Sequence, residues 1–293
     1  MHILLLGKHG QVGWELQRTL ATLGDVTALD YPEIDLANPA TYTPLLEDLC
    51  PQAIINAAAY TAVDRAESEP DLAMAVNGQA PGILAEFARK TSSALVHFST
   101  DYVFDGTQSR PYLETDTPNP INAYGRSKLA GEQAVRQAGG QYLILRTSWV
   151  YSLRGDSFVN KVLHWSRKQK TLRIVSDQTG SPTWARLLAE ATAQLLYTAR
   201  HSGPDWLEEH AGLYHLAGDG YTSRLKWAEA ILHLDPRRVE QVTTRLIPAQ
   251  SSDFPTPAYR PPFSALNCDL FHETFNLRLP DWEAGLHMAL DEQ

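Results

Sequence analysis

Short runs of consecutive apolar residues alternate with longer amphipathic stretches through the first half of the chain. The apolar runs have the length of strands and span residues 3–6, 26–29, 53–55, 94–98 and 142–145. The stretches between them place apolar residues at steps of three and four, as helices do, over residues 12–23, 42–49, 71–90 and 123–137. Continuous apolar strands separated by helices predict a parallel sheet buried on both faces. The predicted fold class is therefore α/β, with a doubly wound parallel sheet.

A glycine-rich turn joins the first predicted strand to the first predicted helix. Gly7, Gly10 and Gly13 have the spacing GxxGxxG. Glycines at such positions allow a tight turn, close approach of the backbone to a pyrophosphate and close packing of helix on strand. The helix N-terminus then faces the anion. We therefore predict a Rossmann-type dinucleotide site at this turn, with a purely structural turn as the alternative.

Asp30 ends the second predicted strand. An acid at this place binds the ribose hydroxyls of a bound dinucleotide, and a solvated turn residue is the alternative. A carboxylate favours NADH over NADPH, whereas the nearby Lys8, His9 and Arg18 would weaken that preference. The predicted cofactor is therefore NADPH or NADH, with the choice left open.

Tyr124 and Lys128 lie one helical turn apart, on the same face of the helix predicted over residues 123–137. An ammonium group near a phenol favours the phenolate, which lowers the tyrosine pKa toward working pH. We therefore predict that Tyr124 is a general acid in reduction and that Lys128 also binds the nicotinamide ribose. A surface pair with no chemical role is the alternative.

Thr100 closes the fourth predicted strand, where open α/β sheets bind their ligands. Its hydroxyl is expected to hydrogen-bond a substrate carbonyl beside Tyr124. Thr100, Tyr124 and Lys128 are thus the predicted catalytic residues. The alternative for Ser99 and Thr100 is capping of the strand end.

The regular pattern ends near Trp149, and the chain becomes rich in proline, notably over residues 248–262. Long loops on a rigid scaffold commonly carry binding function. We predict a dinucleotide-binding domain over residues 1–150, with returns to it near 172–197 and 213–233. A smaller C-terminal substrate-binding domain is predicted over residues 151–293.

The composition and net charge of the chain disfavour nucleic acid and membranes as binding partners. The 293 residues include 25 Lys and Arg against 34 Asp and Glu, a net charge of −9. This sign disfavours binding to nucleic acid or to an anionic membrane surface. No apolar run approaches the ~18 residues of a membrane span, and the two cysteines, Cys50 and Cys268, favour a reducing compartment. We therefore expect a cytoplasmic protein.

Six stretches of the chain carry a resemblance to a known family. They are GKHGQVGWELQ from Gly7, IINAAAYTAVDRAESEP from Ile54, STDYVFDGT from Ser99, NAYGRSKLAGEQAV from Asn122, LRTSWVY from Leu145 and RPPFSALN from Arg260. Together they resemble the extended short-chain dehydrogenase/reductase superfamily and, within it, the dTDP-4-dehydrorhamnose reductase family. The resemblance implies reduction of the C4 ketone of dTDP-4-dehydro-6-deoxy-L-mannose to dTDP-L-rhamnose, a nucleotide sugar.

The resemblance also implies roles for individual residues. Cofactor contacts fall on Gly10, Gln11 and Val12 at the phosphates, Asp30 at the ribose, Asp35 and Leu36 near the adenine, and Ala59, Tyr60 and Thr61 after the third strand. Tyr60 stands where the family usually has histidine, so its side-chain contact stays open. Substrate contacts fall on Thr100, Asp101 and Trp149, and a core tryptophan is the alternative for Trp149. Arg260 is a candidate for the diphosphate or for a surface role, and Asn77 is expected to be structural.

Some members of the family form homodimers bridged by Mg²⁺ through carboxylates. Glu15, Glu190 and Glu292 are the candidates here, and solvated surface acids are the preferred interpretation. A 4,6-dehydratase is disfavoured because Tyr102 stands where that family has glutamate after the aspartate. A 4-epimerase stays open. So does a non-catalytic NADP-binding subunit like the regulatory subunit of methionine adenosyltransferase.

Overall fold

The computed structural model of the chain describes residues 1–203 and 205–291. Its strands, in chain order, are β1 (His2–Leu6), β2 (Asp25–Leu29), β3 (Ala53–Asn56), β4 (Ala94–Thr100), β5 (Tyr142–Thr147), β6 (Val150–Tyr151), β7 (Thr171–Val175), β8 (Thr179–Gly180), β9 (Thr183–Trp184), β10 (Gly212–His215), β11 (Thr222–Ser223) and β12 (Arg245–Ala249). Its α-helices are α1 (Gln11–Leu20), α2 (Pro39–Leu49), α3 (Val63–Ala66), α4 (Pro70–Met74), α5 (Ala80–Thr91), α6 (Ala123–Ala138), α7 (Phe158–Ser166), α8 (Ala185–Ser202), α9 (Trp206–Glu209), α10 (Arg224–Leu234), α11 (Asp269–Phe275) and α12 (Trp282–Asp291).

Six strands form the central sheet in the order β10-β5-β4-β3-β1-β2. Every neighbouring pair in this sheet is parallel. The strand order reverses between β1 and β3, and ligands of open α/β sheets bind at the carboxyl ends of the strands at such a point. The predicted α/β fold with a doubly wound, Rossmann-type parallel sheet is confirmed.

Alternate side chains of each central strand enter different cores, as the two-residue period of a strand requires. In β1, Ile3 and Leu5 pack with α1 and α8. Leu4 and Leu6 pack with α2, α5 and α6 on the opposite face. The sheet is therefore covered on both sides, which explains why its strands read as unbroken apolar runs.

The long helix predicted over residues 71–90 is interrupted. Between α4 and α5 the structure has a π-helical turn, Ala75–Gln79, which contains the buried Asn77. A π turn inserts one residue into the helical repeat, and such turns often occur at functional sites. The mixed steps of three and four in this stretch indicated a helix but not its irregular turn.

The later part of the chain divides its elements between the two expected domains. β10 pairs with β5 in the central sheet, and α8 packs on α1. β7 instead pairs with β12 outside the central sheet, and α10 packs on α7 and β7 around a separate core that contains Trp227. Of the return predicted near 172–197, only the helix α8 packs with the central sheet, and of the return near 213–233, only the strand β10 does. The domain boundary itself stays a prediction.

Crossing a bilayer requires a helix of some 20 mostly apolar residues. Within residues 1–203 and 205–291, no helix has the length and apolar character required.

A buried ion pair ties α6 to the sheet. Glu132 on α6 accepts hydrogen bonds from the Arg146 guanidinium of β5, at 2.8 Å and 2.6 Å, and from the Ser99 hydroxyl of β4, at 2.5 Å. All three side chains are buried. Removing one member of a buried ion pair leaves the other charge without its counter-charge, and that is costly.

We therefore predict that Arg146→Met lowers the free energy of unfolding by about 3 kcal/mol. The double variant Arg146→Met/Glu132→Leu should be clearly more stable than this single variant, because no buried charge is left unpaired. Urea unfolding of the two variants and of Arg136→Met, a control at an exposed position of α6, measures this. A loss for Arg146→Met no larger than for Arg136→Met would contradict the account.

Candidate active site

A cleft of about 700 Å³ opens at the carboxyl ends of β1, β3, β4 and β5. Its lining includes ten residues that the sequence assigned to cofactor, catalysis or substrate: Gly10, Gln11, Val12, Ala59, Thr61, Thr100, Asp101, Tyr124, Lys128 and Trp149. Gly7, Gly13, Asp30, Asp35, Leu36 and Tyr60 are not in the lining.

The glycine turn leaves room for an anion at the start of α1. Gly7 has φ +87°, and a Cβ at Gly13 would lie 1.9 Å from the Gly7 carbonyl oxygen, so both positions require glycine. Gly10 caps α1 without a side-chain hydrogen bond. Gln11 keeps its Oε1 buried with no hydrogen-bond partner among the described residues. Amides at a helix start fit the phosphates of a dinucleotide.

The predicted ribose and adenine residues lie beside this turn. The Asp30 carboxylate accepts the His9 amide at 2.9 Å, which holds it against the glycine turn. Asp35 accepts the Ala37 amide at 2.9 Å. Leu36 is buried in the core shared with α2 and α5, so its side chain is not presented to a ligand. Their contacts with a cofactor stay predictions.

The loop after β3 is fixed through Asn77. Its side chain accepts the Tyr60 amide at 2.8 Å and donates to the Tyr60 carbonyl at 3.1 Å and to Ser127 on α6 at 3.0 Å. The Tyr60 hydroxyl donates to Glu69 at 2.5 Å. The Tyr60 side chain therefore points away from the cleft, and only its backbone is held near Ala59 and Thr61.

The catalytic candidates meet where β4 ends and α6 begins. The Tyr124 hydroxyl is hydrogen-bonded to Thr100. Thr100 donates to Asp101 at 3.1 Å and accepts the Tyr102 amide at 3.2 Å. The hydrogen bond with Thr100 acts to lower the pKa of Tyr124, against the larger effect of burial.

The start of α6 is held close to the turn after β4. Asn122 caps the helix by accepting the Gly125 amide at 2.7 Å, and its side-chain amide donates to the Tyr259 carbonyl at 2.8 Å. A Cβ at Gly125 would lie 2.2 Å from the Tyr102 carbonyl oxygen. Glycine at this position therefore permits the approach that brings Tyr124 to Thr100.

Burial shifts the pKa values of Tyr124 and Lys128 in opposite directions. It raises the pKa of Tyr124, which keeps the phenol protonated, and lowers the pKa of Lys128 to about 8. The Lys128 ammonium donates to the Phe98 carbonyl at 2.6 Å. The prediction that Lys128 lowers the pKa of Tyr124 is wrong for this structure, because desolvation favours the neutral form of both groups.

Asp101 joins three segments of the chain beneath the cleft. Its buried carboxylate accepts hydroxyl hydrogen bonds from Thr100 at 3.1 Å, Ser148 at 2.9 Å and Ser264 at 2.5 Å. Burial raises the pKa of Asp101, while these hydroxyls and the charge of Arg224 act against that rise. The carboxylate is thus committed to holding the site together, and the predicted substrate contact stays a prediction.

Trp149 has a left-handed backbone, with φ +44°. Such a conformation is costly for a residue other than glycine and marks functional sites when the surrounding structure enforces it. Here the indole lies against Gly180, where a Cβ would be 2.5 Å from the ring. The Arg224 guanidinium stacks over the indole at 3.6 Å from the ring centroid.

Arg224 is the site residue that the sequence did not reveal. It is the first residue of α10 and lines the cleft between Trp149 and Phe158. Within residues 1–203 and 205–291, no carboxylate forms an ion pair with it. The sequence marks the start of this helix by the cap residue Ser223 and by the buried Trp227 one turn later. It contains no pattern that shows that Arg224 faces the cleft.

Arg260 is already engaged by another side chain. Its guanidinium donates to both carboxylate oxygens of Asp64, at 3.1 Å and 2.7 Å. It does not line the cleft. Of its two interpretations, the geometry favours a structural role that ties the proline-rich loop to α3.

The two described metal candidates, Glu15 and Glu190, belong to no group arranged to hold a metal ion. Glu190 on α8 pairs with Arg186 at 3.0 Å, and Glu15 lies on α1, which packs against α8. Glu292 lies outside the described residues. Across residues 1–203 and 205–291, no group of three His, Cys, Asp or Glu side chains is arranged to hold a metal ion. The expectation of Mg²⁺ has no support here.

The fold and the cleft define a class: this is an oxidoreductase with a Rossmann-type site for a nicotinamide dinucleotide. A comparison with protein families identifies it further. The family model "RmlD substrate binding domain" matches residues 1–293, and the chain belongs to this family.

Several relatives are similar to the chain over nearly its whole length. The dTDP-4-dehydrorhamnose reductase of Burkholderia thailandensis is 45% identical, covering 99% of this chain and 98% of the relative. That of Salmonella typhimurium is 44% identical, covering 100% and 98%. The crystal structure of the Bacillus anthracis dTDP-4-dehydrorhamnose reductase in complex with NADP superposes with a TM-score of 0.89 at 31% identity, covering 100% and 99%.

The lowered pKa of Lys128 predicts a pH-dependent contribution to stability. An unfolded lysine titrates near 10.4, whereas the folded group titrates at about 8. Between these values the unfolded chain binds more protons, so the stability of the native chain relative to Lys128→Met should rise with pH. Urea unfolding of both proteins from about pH 7 to about pH 10 measures the difference.

Lys90→Met, at an exposed position of α5, is the control and should show no such trend. A difference between the native chain and Lys128→Met that stays constant over this range would show that burial does not lower the pKa of Lys128.

Proposed function

We propose that this chain reduces the C4 ketone of dTDP-4-dehydro-6-deoxy-L-mannose to dTDP-L-rhamnose, the last step of dTDP-rhamnose synthesis, with NADPH or NADH. The observation that carries the proposal is the Tyr124 phenol, which lines the cleft, has a raised pKa and is hydrogen-bonded to Thr100 at the end of β4. The relatives named dTDP-4-dehydrorhamnose reductase support this substrate.

Tyr124 supplies the proton in the proposed reaction. When bound, the reduced nicotinamide supplies a hydride to the carbonyl carbon. Tyr124 donates its proton to the carbonyl oxygen, so that the ketone becomes an alcohol. The raised pKa of Tyr124 keeps the phenol protonated before each turnover, as a general acid requires.

Thr100 and Lys128 position the reacting groups. Thr100 fixes the direction of the Tyr124 hydroxyl, and its own direction is fixed by Asp101. An ammonium has three donors, and Lys128 uses one of them on the Phe98 carbonyl. Two remain for the ribose hydroxyls of the nicotinamide nucleotide, the role that we propose for Lys128.

Arg224 and Trp149 are proposed to bind the nucleotide sugar. A diphosphate needs a cation with several donors, and a guanidinium binds phosphate oxygens bidentately. Arg224 meets this need because its charge has no carboxylate partner among residues 1–203 and 205–291, whereas Arg260 is paired with Asp64. An indole such as that of Trp149 packs on a sugar or base and donates one hydrogen bond.

The proposal is tested by incubating the purified chain with dTDP-4-dehydro-6-deoxy-L-mannose, generated in situ, and each reduced dinucleotide. Loss of reduced-nicotinamide absorbance in step with formation of dTDP-L-rhamnose supports the function. Dinucleotide binding without turnover would favour the non-catalytic regulatory subunit, and purification with a stoichiometric partner protein would support that alternative. Formation of a homodimer and a cytoplasmic location stay predictions.

We predict that Tyr124→Phe reduces turnover by at least about 100-fold, in the range attributed to general acid catalysis. NADH affinity should change less than about twofold, because only the proton donor is lost. Steady-state kinetics and dinucleotide titration measure the two effects. Tyr102→Phe is the control, because Tyr102 also lines the cleft and the centroid of its ring lies 5.8 Å from that of the Tyr124 ring. A larger loss of turnover in Tyr102→Phe would make Tyr102 the acid instead.

Arg224→Met should raise the KM for the nucleotide sugar about 10- to 100-fold, the cost of losing charge-assisted hydrogen bonds to a buried anion. The dissociation constant for NADH should not change, because the proposal assigns Arg224 to the nucleotide sugar and not to the dinucleotide. Arg260→Met is the matched control and should leave KM within about threefold. The reverse order of these two effects would assign the diphosphate to Arg260.

A further inference from the structure

Three charged side chains meet beside the glycine turn, at the carboxyl end of β2. The Lys8 ammonium lies 2.5 Å from a carboxylate oxygen of Glu33. The Asp30 carboxylate accepts the His9 amide at 2.9 Å and the Tyr31 amide at 2.8 Å. The amide of Asp30 donates to the same Glu33 oxygen at 3.4 Å. Lys8 is therefore paired with Glu33, while two backbone amides hold the Asp30 carboxylate in the same segment.

The two carboxylates have different tasks in this cluster. Each Asp30 oxygen accepts one backbone amide and keeps acceptor capacity for a ribose hydroxyl. The Glu33 carboxylate is instead engaged with Lys8, which holds the pKa of Glu33 below its usual range. The Lys8 side chain is only 18% exposed, so its ammonium is confined near the turn.

Other basic groups nearby do not replace Lys8. The Arg18 guanidinium stacks on the Trp14 ring at 3.6 Å from the ring centroid and donates to the Trp14 carbonyl at 2.5 Å, so it is already engaged. His9 contributes charge only when its ring is protonated. A 2′-phosphate on the adenosine ribose would thus meet two carboxylates and a lysine that already has a counter-charge.

We infer that Glu33 weakens binding of the 2′-phosphorylated dinucleotide by engaging Lys8, and is thereby a specificity-determining residue for the cofactor. The inference rests on the proposed use of a nicotinamide dinucleotide. NADH places a neutral hydroxyl at this position and leaves the Lys8–Glu33 pair intact. NADPH brings a doubly charged group that must compete with Glu33 for Lys8 or remain beside uncompensated negative charge.

The test measures dissociation constants of NADPH and NADH for the full chain by fluorescence titration, without sugar substrate. Low salt and about pH 8 are used, so that screening is weak and histidines are largely neutral. Glu33→Gln should tighten NADPH about tenfold and change NADH less than about twofold, since the neutral amide releases Lys8 to the phosphate. The double variant Glu33→Gln/Lys8→Gln should lose this gain.

Glu240→Gln is the matched control, because Glu240 pairs with Arg167 and is 46% exposed, against 49% for Glu33. It should leave both dissociation constants unchanged. Equal tightening of both dinucleotides in Glu33→Gln, no change in either, or a gain retained in the double variant would each overturn the inference. Dinucleotide binding with the expected shift but no sugar reduction would contradict the proposed function alone. Absence of binding to either dinucleotide would overturn both.

Discussion

The buried carboxylate of Asp101 connects parts of the chain that are far apart in sequence. It accepts hydrogen bonds from the hydroxyls of Thr100 at the end of β4, Ser148 after β5 and Ser264 just after the proline-rich stretch, 163 positions away. Since an unpaired buried carboxylate is costly, this arrangement requires all three segments to be in place. Thr100 owes its orientation to this contact, and Trp149 follows directly after Ser148. The positions of Tyr124, the proposed acid, and of Trp149, the proposed substrate contact, thus depend on the Asp101 carboxylate.

Desolvation is the second physical effect that shapes the site. The close approach at Gly125 buries the start of α6 against the turn after β4, and burial favours the neutral forms of Tyr124 and Lys128. A neutral phenol is the form that a reduction needs. Further along α6, Glu132 is buried as an ion pair with Arg146 of β5. The helix that carries the chemistry is therefore held at both its start and its middle.

The sequence was sufficient for most of the fold and for the parts of the site that depend on local spacing. Apolar runs predicted strands β1 to β5 of the central sheet, and the sixth strand, β10, lies within the predicted return near 213–233. The glycine turn and the Tyr124–Lys128 pair followed from turn and helix geometry. The direction of the Tyr124 pKa did not, since it depends on burial by segments distant in sequence. Arg224 and the Asp64 partner of Arg260 were missed for the same reason: each contact joins separate elements.

The central claim is that this chain catalyses hydride transfer from the reduced dinucleotide to the sugar ketone. The most direct measurement uses NADH deuterated at both hydrogens of nicotinamide C4, with dTDP-4-dehydro-6-deoxy-L-mannose as substrate, and mass spectrometry and NMR of the product. The account predicts dTDP-L-rhamnose that carries a single deuterium at C4 of the sugar. Product without deuterium, or bound dinucleotide with the ketone unchanged, would contradict it.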